Sequence, residues 1–110
     1  MKANLPKNEK YYIKKYADIG YATNFYFEKN KIVNSLTKCA HKPKDISIVA
    51  QHRFEGIRNP ANLSILYIME DSDGYKGSFL VSYGAAANQA IIEFFNHVPE
   101  QNISNKAYII

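Results

Sequence analysis

Hydrophobic and polar positions recur along this chain with two periods, and the switches between them mark its elements. In "NEKYYIKKYADIGY" the apolar residues Tyr12, Tyr16 and Ile19 fall at i, i+4 and i+7, with Ile13 and Ala17 widening the stripe. That is the helical period, so the pattern predicts a helix over residues 8–19. Asn8 is placed to cap its start, and Gly20 to take the left-handed position after its end. "NFYFEKNKIVNS" changes to alternation, with Phe25 and Phe27 set against Tyr26 and Glu28 before a polar "KNK" and then Ile32 and Val33. This reads as a short strand or a hairpin. "LTKCAHKPKD" is polar, contains a proline and reads as a loop.

The centre of the chain is more regular. In "ISIVAQHRFE" (46–55) Ile46, Ile48, Ala50, His52 and Phe54 are expected on one face of a strand, and Ser47, Val49, Gln51, Arg53 and Glu55 on the other. "LSILYIME" (63–70) and "KGSFLVSY" (76–83) are two further strands, and the Asp73-Gly74 pair between them is a hairpin signal that asks for positive φ at Gly74. With those two residues as the turn centre, Ile68 pairs with Phe79 and Leu66 with Val81, so that all four share one buried face. "AAANQAIIEFFNHVPE" returns to the helical period, with Ala87, Ile91, Phe94 and Val98 on one stripe, and predicts a helix over 86–97 that Pro99 stops. The tail, 100–110, is either frayed or a short strand docked on a sheet edge, and residues 1–6 are a second candidate for fraying. The expected fold class is α+β: one small domain over 1–110, with an antiparallel sheet of three to five strands around a central meander, flanked by an N-terminal and a C-terminal helix.

Composition narrows the function classes. A chain of 110 residues that is 46% hydrophobic can bury a core without metals or disulfides. Cys39 is the single cysteine, which rules out an internal disulfide and gives no sign of an oxidising compartment. No apolar run approaches the ~18 residues needed to cross a bilayer, and the opening "MKANLPKNEKYYIKKY" lacks the apolar region of a signal peptide. The expected location is the cytoplasm, with no membrane partner. The net charge of +4 divides unevenly: residues 1–45 hold ten Lys and four acids, a net of +6, and residues 46–110 hold four basic and six acidic groups, a net of −2. The N-terminal lysines are spaced out, and both arginines, Arg53 and Arg58, lie elsewhere. A solvated helix face explains such lysines better than a nucleic-acid partner does.

Several short motifs occur in order: "GYATNF" (20–25), "PKDISI" (43–48), "RFEG" (53–56), "NP" (59–60), "SILYIME" (64–70), "DGYKG" (73–77) and "YG" (83–84). Together they resemble a family of small bacterial proteins of uncharacterised function, many of which carry the label phosphoribosylpyrophosphate synthetase. The resemblance covers residues 20–84 and implies no catalytic residues. A synthetase of that name is a longer enzyme built on repeated α/β domains. This chain also lacks a Gly-rich strand-to-helix loop, a Walker-type lysine and the acidic "DDxxxTG"-like loop that grips ribose phosphate.

Candidate chemistry is sparse. His41, His52 and His97 fall in a loop, a strand and a helix end without the paired spacing of a zinc site, so neither a metal nor a cofactor is expected. His52, in the apolar register, reads as a satisfied core or sheet-edge histidine. Glu70, Asp71 and Asp73 fit turn chemistry and not a calcium loop. The remainder is "RFEGIRNPAN". In an antiparallel meander Arg53 and Glu55 reach the same end of the sheet as Tyr83, and the last helix begins nearby with free N–H groups. Arg53, Glu55, Arg58, Asn59 and Tyr83 therefore form the expected ligand-binding set, suited to an anionic small molecule or an acidic protein segment. This edge rests on the hairpin register given above, so that Phe79 and Ile68 facing opposite ways would refute register and edge together. Two other readings are carried: a small enzyme acting on a phosphorylated or carboxylated metabolite with Glu55 as general base, and self-association through the surplus of nine Tyr and six Phe.

Overall fold

The computed structural model describes residues 8–55, 63–84 and 87–104. Helix α1 (Glu9–Asp18) starts where Asn8 accepts a hydrogen bond from Tyr11 N. It ends in a Schellman arrangement, in which Tyr21 N donates to Tyr16 O and Gly20 N to Ala17 O with Gly20 at φ 111°. Both terminal signals in the sequence thus act as expected. Strands β1 (Thr23–Glu28) and β2 (Lys31–Asn34) form a hairpin whose two turn residues, Lys29 and Asn30, both take positive φ, as its tight two-residue turn requires. The expected loop after it contains a short strand, β3 (Ala40–His41), paired to β2, and a 3-10 turn over Pro43–Asp45.

Strands β4 (Ile46–Glu55), β5 (Leu63–Asp71) and β6 (Lys76–Ser82) make the expected antiparallel meander. Among the described residues the sheet is larger and mixed. Its order is β3-β2-β1-β6-β5-β4, six strands, with β1 parallel to β6 through Thr23↔Gly77 and Asn24↔Ser78. An antiparallel sheet of three to five strands is therefore corrected to a six-stranded mixed one within the α+β class. Gly77 explains why the parallel contact can form. A Cβ at that position would collide with Thr23 O and come within 2.8 Å of the Phe25 ring.

The hairpin register is also corrected. Glu70 pairs with Lys76, Tyr67 with Phe79 and Ile65 with Val81, and Asp71 N donates to Tyr75 O, so the loop holds three residues, 72–74, instead of two. Gly74 has the expected positive φ, 91°. The extra loop residue shifts the pairing by one and turns every β6 side chain over. Phe79 and Val81 face with Ile65, Tyr67 and Met69, opposite to Leu66 and Ile68.

A second irregularity divides β4. The pairing sum changes between Ile48↔Met69 and Ala50↔Ile68, a β-bulge at Val49. Ile46 and Ile48 consequently join one core while Ala50, His52 and Phe54 belong to the other, so the single even-numbered face expected for β4 does not exist. The larger core lies under α2 (Gln89–Asn96), whose Phe94 and Phe95 pack on Ile65, Tyr67, Met69 and Val81. The smaller lies under α1, where Tyr16 is fully buried with Ala50, Leu66 and Ile68. Helix α2 is shorter than the expected 86–97, because Asn88 caps it by accepting from Ala90 N and Ile91 N. Beyond it, Ile103 bridges to Ile48 and Ser104 N donates to Ile48 O, which docks this part of the tail on the free edge of β4.

The sheet must curl. Flat, six strands would hold β3 and β4 about 24 Å apart at 4.8 Å per step. Yet only residues 42–45 join those two edge strands, a span of about 17 Å at full extension. At this end of the molecule β3 is drawn back toward the β4–β5 end.

Candidate functional site

Arg53 and Glu55 stand on consecutive outward positions of β4 beyond the bulge, opposite Ile65 and Leu63. Cross-strand partners share a face, so both project on the α2 side of the sheet. Tyr83 follows the end of β6, where its N–H donates to Leu63 O, and it packs against the same core. The corrected register is what places it there, since the two-residue turn would have set Tyr83 opposite Ser64, on the other face. Phe79 and Ile68 face opposite ways, so the binding edge as derived from the two-residue register fails together with that register; Arg53, Glu55 and Tyr83 meet at one end and one face only through the three-residue turn. Arg58 and Asn59 lie outside the described residues.

The chemistry of this end is carried by a residue that the sequence did not single out. The Tyr67 hydroxyl lies 2.7 Å from that of Tyr83, in a phenol–phenol hydrogen bond. Tyr67 is buried, and its ring stacks on Phe95 at 4.2 Å with an interplanar angle of 6°. Burial first, then the hydrogen bond to Tyr83 and its charge, hold the Tyr67 phenol far above the ordinary tyrosine range, while the Arg53 guanidinium pulls weakly the other way. At neutral pH the Tyr67 phenol is therefore protonated. Tyr67 and Tyr83 share one bond, which leaves a hydroxyl hydrogen or lone pair available to a neighbour. Arg53 and Glu55 are both exposed, and no ion pair joins them among the described residues. The signal that could have pointed to Tyr67 was its position in "SILYIME", a tyrosine within a run otherwise expected to be buried, where a phenol needs a partner.

The helix contribution to the expected edge is corrected. The first N–H groups of α2 are engaged by the Asn88 carboxamide, so they are not the free anion-binding donors that the sequence suggested. What this end offers an anion is one guanidinium beside a pair of phenols.

The other side of the sheet holds the core histidine that the sequence led us to expect. His52 Nε2 lies 2.7 Å from the Tyr16 hydroxyl, and Tyr12 stacks on its ring at 4.4 Å. Burial lowers its pKa from the ordinary 6.5. This group ties α1 to the sheet, as does Ser64 Oγ, which donates to Glu9 at 3.0 Å. His41, read from the sequence as a loop histidine without ligand partners, is buried instead. Its ring meets Asp71 and Asp73, with ligand atoms of the three residues all within 4.8 Å of one another. The sequence spacing hid this group because its members belong to β3, to the end of β5 and to the β5–β6 turn. No described helix is long and apolar enough to cross a membrane. No family model matches the chain, and neither a curated protein nor a solved structure matches it.

Proposed function

We propose that the protein is a non-catalytic binding module that holds an anionic group, a phosphate or a carboxylate, at the Arg53–Tyr67–Tyr83 end of its sheet. The observation that carries this reading is that the exposed Arg53 guanidinium lies on the same face as the Tyr67–Tyr83 phenol pair and close enough to act electrostatically on Tyr67. A guanidinium supplies two parallel donors in a fixed fork, and a phenol beside it adds a neutral donor that needs no counter-charge. Placed on strands and not on a loop, both groups keep their positions when the ligand leaves.

The reading is tested by titrating the full chain with phosphorylated metabolites, nucleotides and acidic peptides, and repeating the titrations with Arg53→Ala. Charge-assisted hydrogen bonds of about 1.5–3 kcal/mol predict a loss of roughly tenfold or more in affinity. Binding that is absent from the wild-type chain, or equal in the variant, sinks it.

A further inference from the structure

We infer that His41, Asp71 and Asp73 form a binding site for a first-row divalent cation of the Zn²⁺ or Mn²⁺ kind, at the end of β5 away from Arg53. The two carboxylate oxygens of Asp71 have separate surroundings. Oδ1 accepts from Asp73 N and Tyr75 N, both at 2.9 Å, which is ordinary turn chemistry. Oδ2 has no hydrogen-bond partner, although it lies 3.1 Å from His41 Nε2, which has none either. Both side chains are buried, His41 with 5% and Asp71 with 0% of its surface exposed. Two buried polar atoms thus stand at ion-pair distance without the alignment of a hydrogen bond, and a buried group left without one costs about 1–3 kcal/mol.

A shared ligand accounts for that geometry. An ion about 2.1 Å from each atom would see the 3.1 Å pair at about 95°, within the range that four- to six-coordinate sites use. Asp73 Oδ2, 3.8 Å from His41 Nε2 and on a side chain that is 51% exposed, supplies a third donor from the solvent side. One imidazole with two carboxylates suits zinc, manganese or cobalt better than the all-oxygen cations magnesium and calcium. Three protein donors with one side open to solvent leave at least one position for water.

The fold gives such an ion a role. Its donors come from an edge strand, from the end of β5 and from the turn that follows it, brought together by the short 42–45 connection. A cation held there would fasten the curl of the sheet, because it binds only when β3 and the β5–β6 turn are in register. Its affinity would then appear directly as stability of the folded chain.

The test uses the full chain stripped with a chelator and titrated with Zn²⁺ and separately with Mn²⁺, followed by calorimetry and thermal unfolding, with Co²⁺ absorption as the optical probe. One equivalent is expected to bind and to raise the melting midpoint by about 5 °C or more at saturation. His41→Gln removes a buried donor and should abolish binding. Since that variant can fail to fold, Asp73→Asn is the deciding one: its side chain is half exposed, so the metal-free variant should melt like the wild type and bind at least about tenfold more weakly. Cys39→Ser and Arg53→Ala should bind as the wild type does, the first because the thiol is not a donor and the second because it sits at the other end of the sheet. The proposal is overturned by the absence of one-to-one binding with all three cations, by unchanged affinity in Asp73→Asn, or by loss of binding in Cys39→Ser. Arg53→Ala reports on the anion site alone, so the two readings fail separately.

Discussion

Replacing Gly77 with alanine adds one methyl group, and the structure says where it must go. The new Cβ would overlap Thr23 O and lie 2.8 and 3.1 Å from two atoms of the Phe25 ring. The phenyl ring can turn aside by a few tenths of an ångström. The carbonyl oxygen cannot, because it belongs to the backbone of β1 at the point where that strand pairs with β6, through Thr23↔Gly77 and Asn24↔Ser78. To admit the methyl group the two strands must separate. Overpacking costs about 1–3 kcal/mol when side chains can adjust. Displacing the strand also weakens one or two ladder hydrogen bonds at about 0.5–1.5 kcal/mol each. The expected destabilisation is thus about 1.5–6 kcal/mol, a large part of the roughly 5–15 kcal/mol by which domains of this size are stable. For a chain of 110 residues it corresponds to a fall of about 4 °C in Tm per kcal/mol. Urea unfolding followed by circular dichroism measures the total, and amide exchange localises it: protection should fall first in β1 and in the adjoining part of β6. If Gly77→Ala unfolds within about 0.5 kcal/mol of the wild type, β1 does not approach β6 as described and the junction between the two halves of the sheet is wrong.

Gly74 offers a contrast, since no atom lies within 4 Å of its would-be Cβ and only its φ of 91° resists a side chain. Gly74→Val should cost about 1–3 kcal/mol from backbone strain alone, measured in the same urea titration, and a neutral result would contradict the positive φ at Gly74. His52 makes stability pH-dependent. Burial lowers its folded pKa below 6.5, so as pH falls the unfolded chain takes up the proton first. Its contribution is intact above about 6.5 and is lost as pH drops through the folded value, at up to about 1.4 kcal/mol per pH unit. The His52 ring resonance followed by NMR should titrate below 6.5, and a midpoint at or above that value would remove the basis for the dependence.

What could be read from the sequence was mostly what is enforced within a few residues, although the Asn88 cap of α2, equally local, was missed. Asn8 and Gly20 bound α1 because their interactions close within one turn of helix. The strands at 46–55, 63–70 and 76–83 were legible because alternation in the first, apolar runs in the other two and the turn residues between them are all local signals. Gly74 announces its positive φ because only the local backbone demands it. Three matters lay beyond that range, and each is a choice between arrangements of nearly equal local energy. Two or three residues in the β5–β6 loop satisfy Asp73-Gly74 equally well. The longer loop prevails because it sets Phe79 and Val81 against α2 together with Tyr67 and Ile65. The bulge at Val49 leaves alternation on both sides of it intact, so only the pairing with β5 reveals that β4 serves two cores. The parallel contact of β1 with β6 depends on the absence of a side chain at Gly77, which in the sequence is one glycine among five. The candidate sites follow the same division. Arg53 and Tyr83 could be placed at one end of the sheet because strand direction alone puts them there. Tyr67, and the meeting of His41 with Asp71 and Asp73, depend on register and curl, which are decided by long-range packing once the whole sheet has formed.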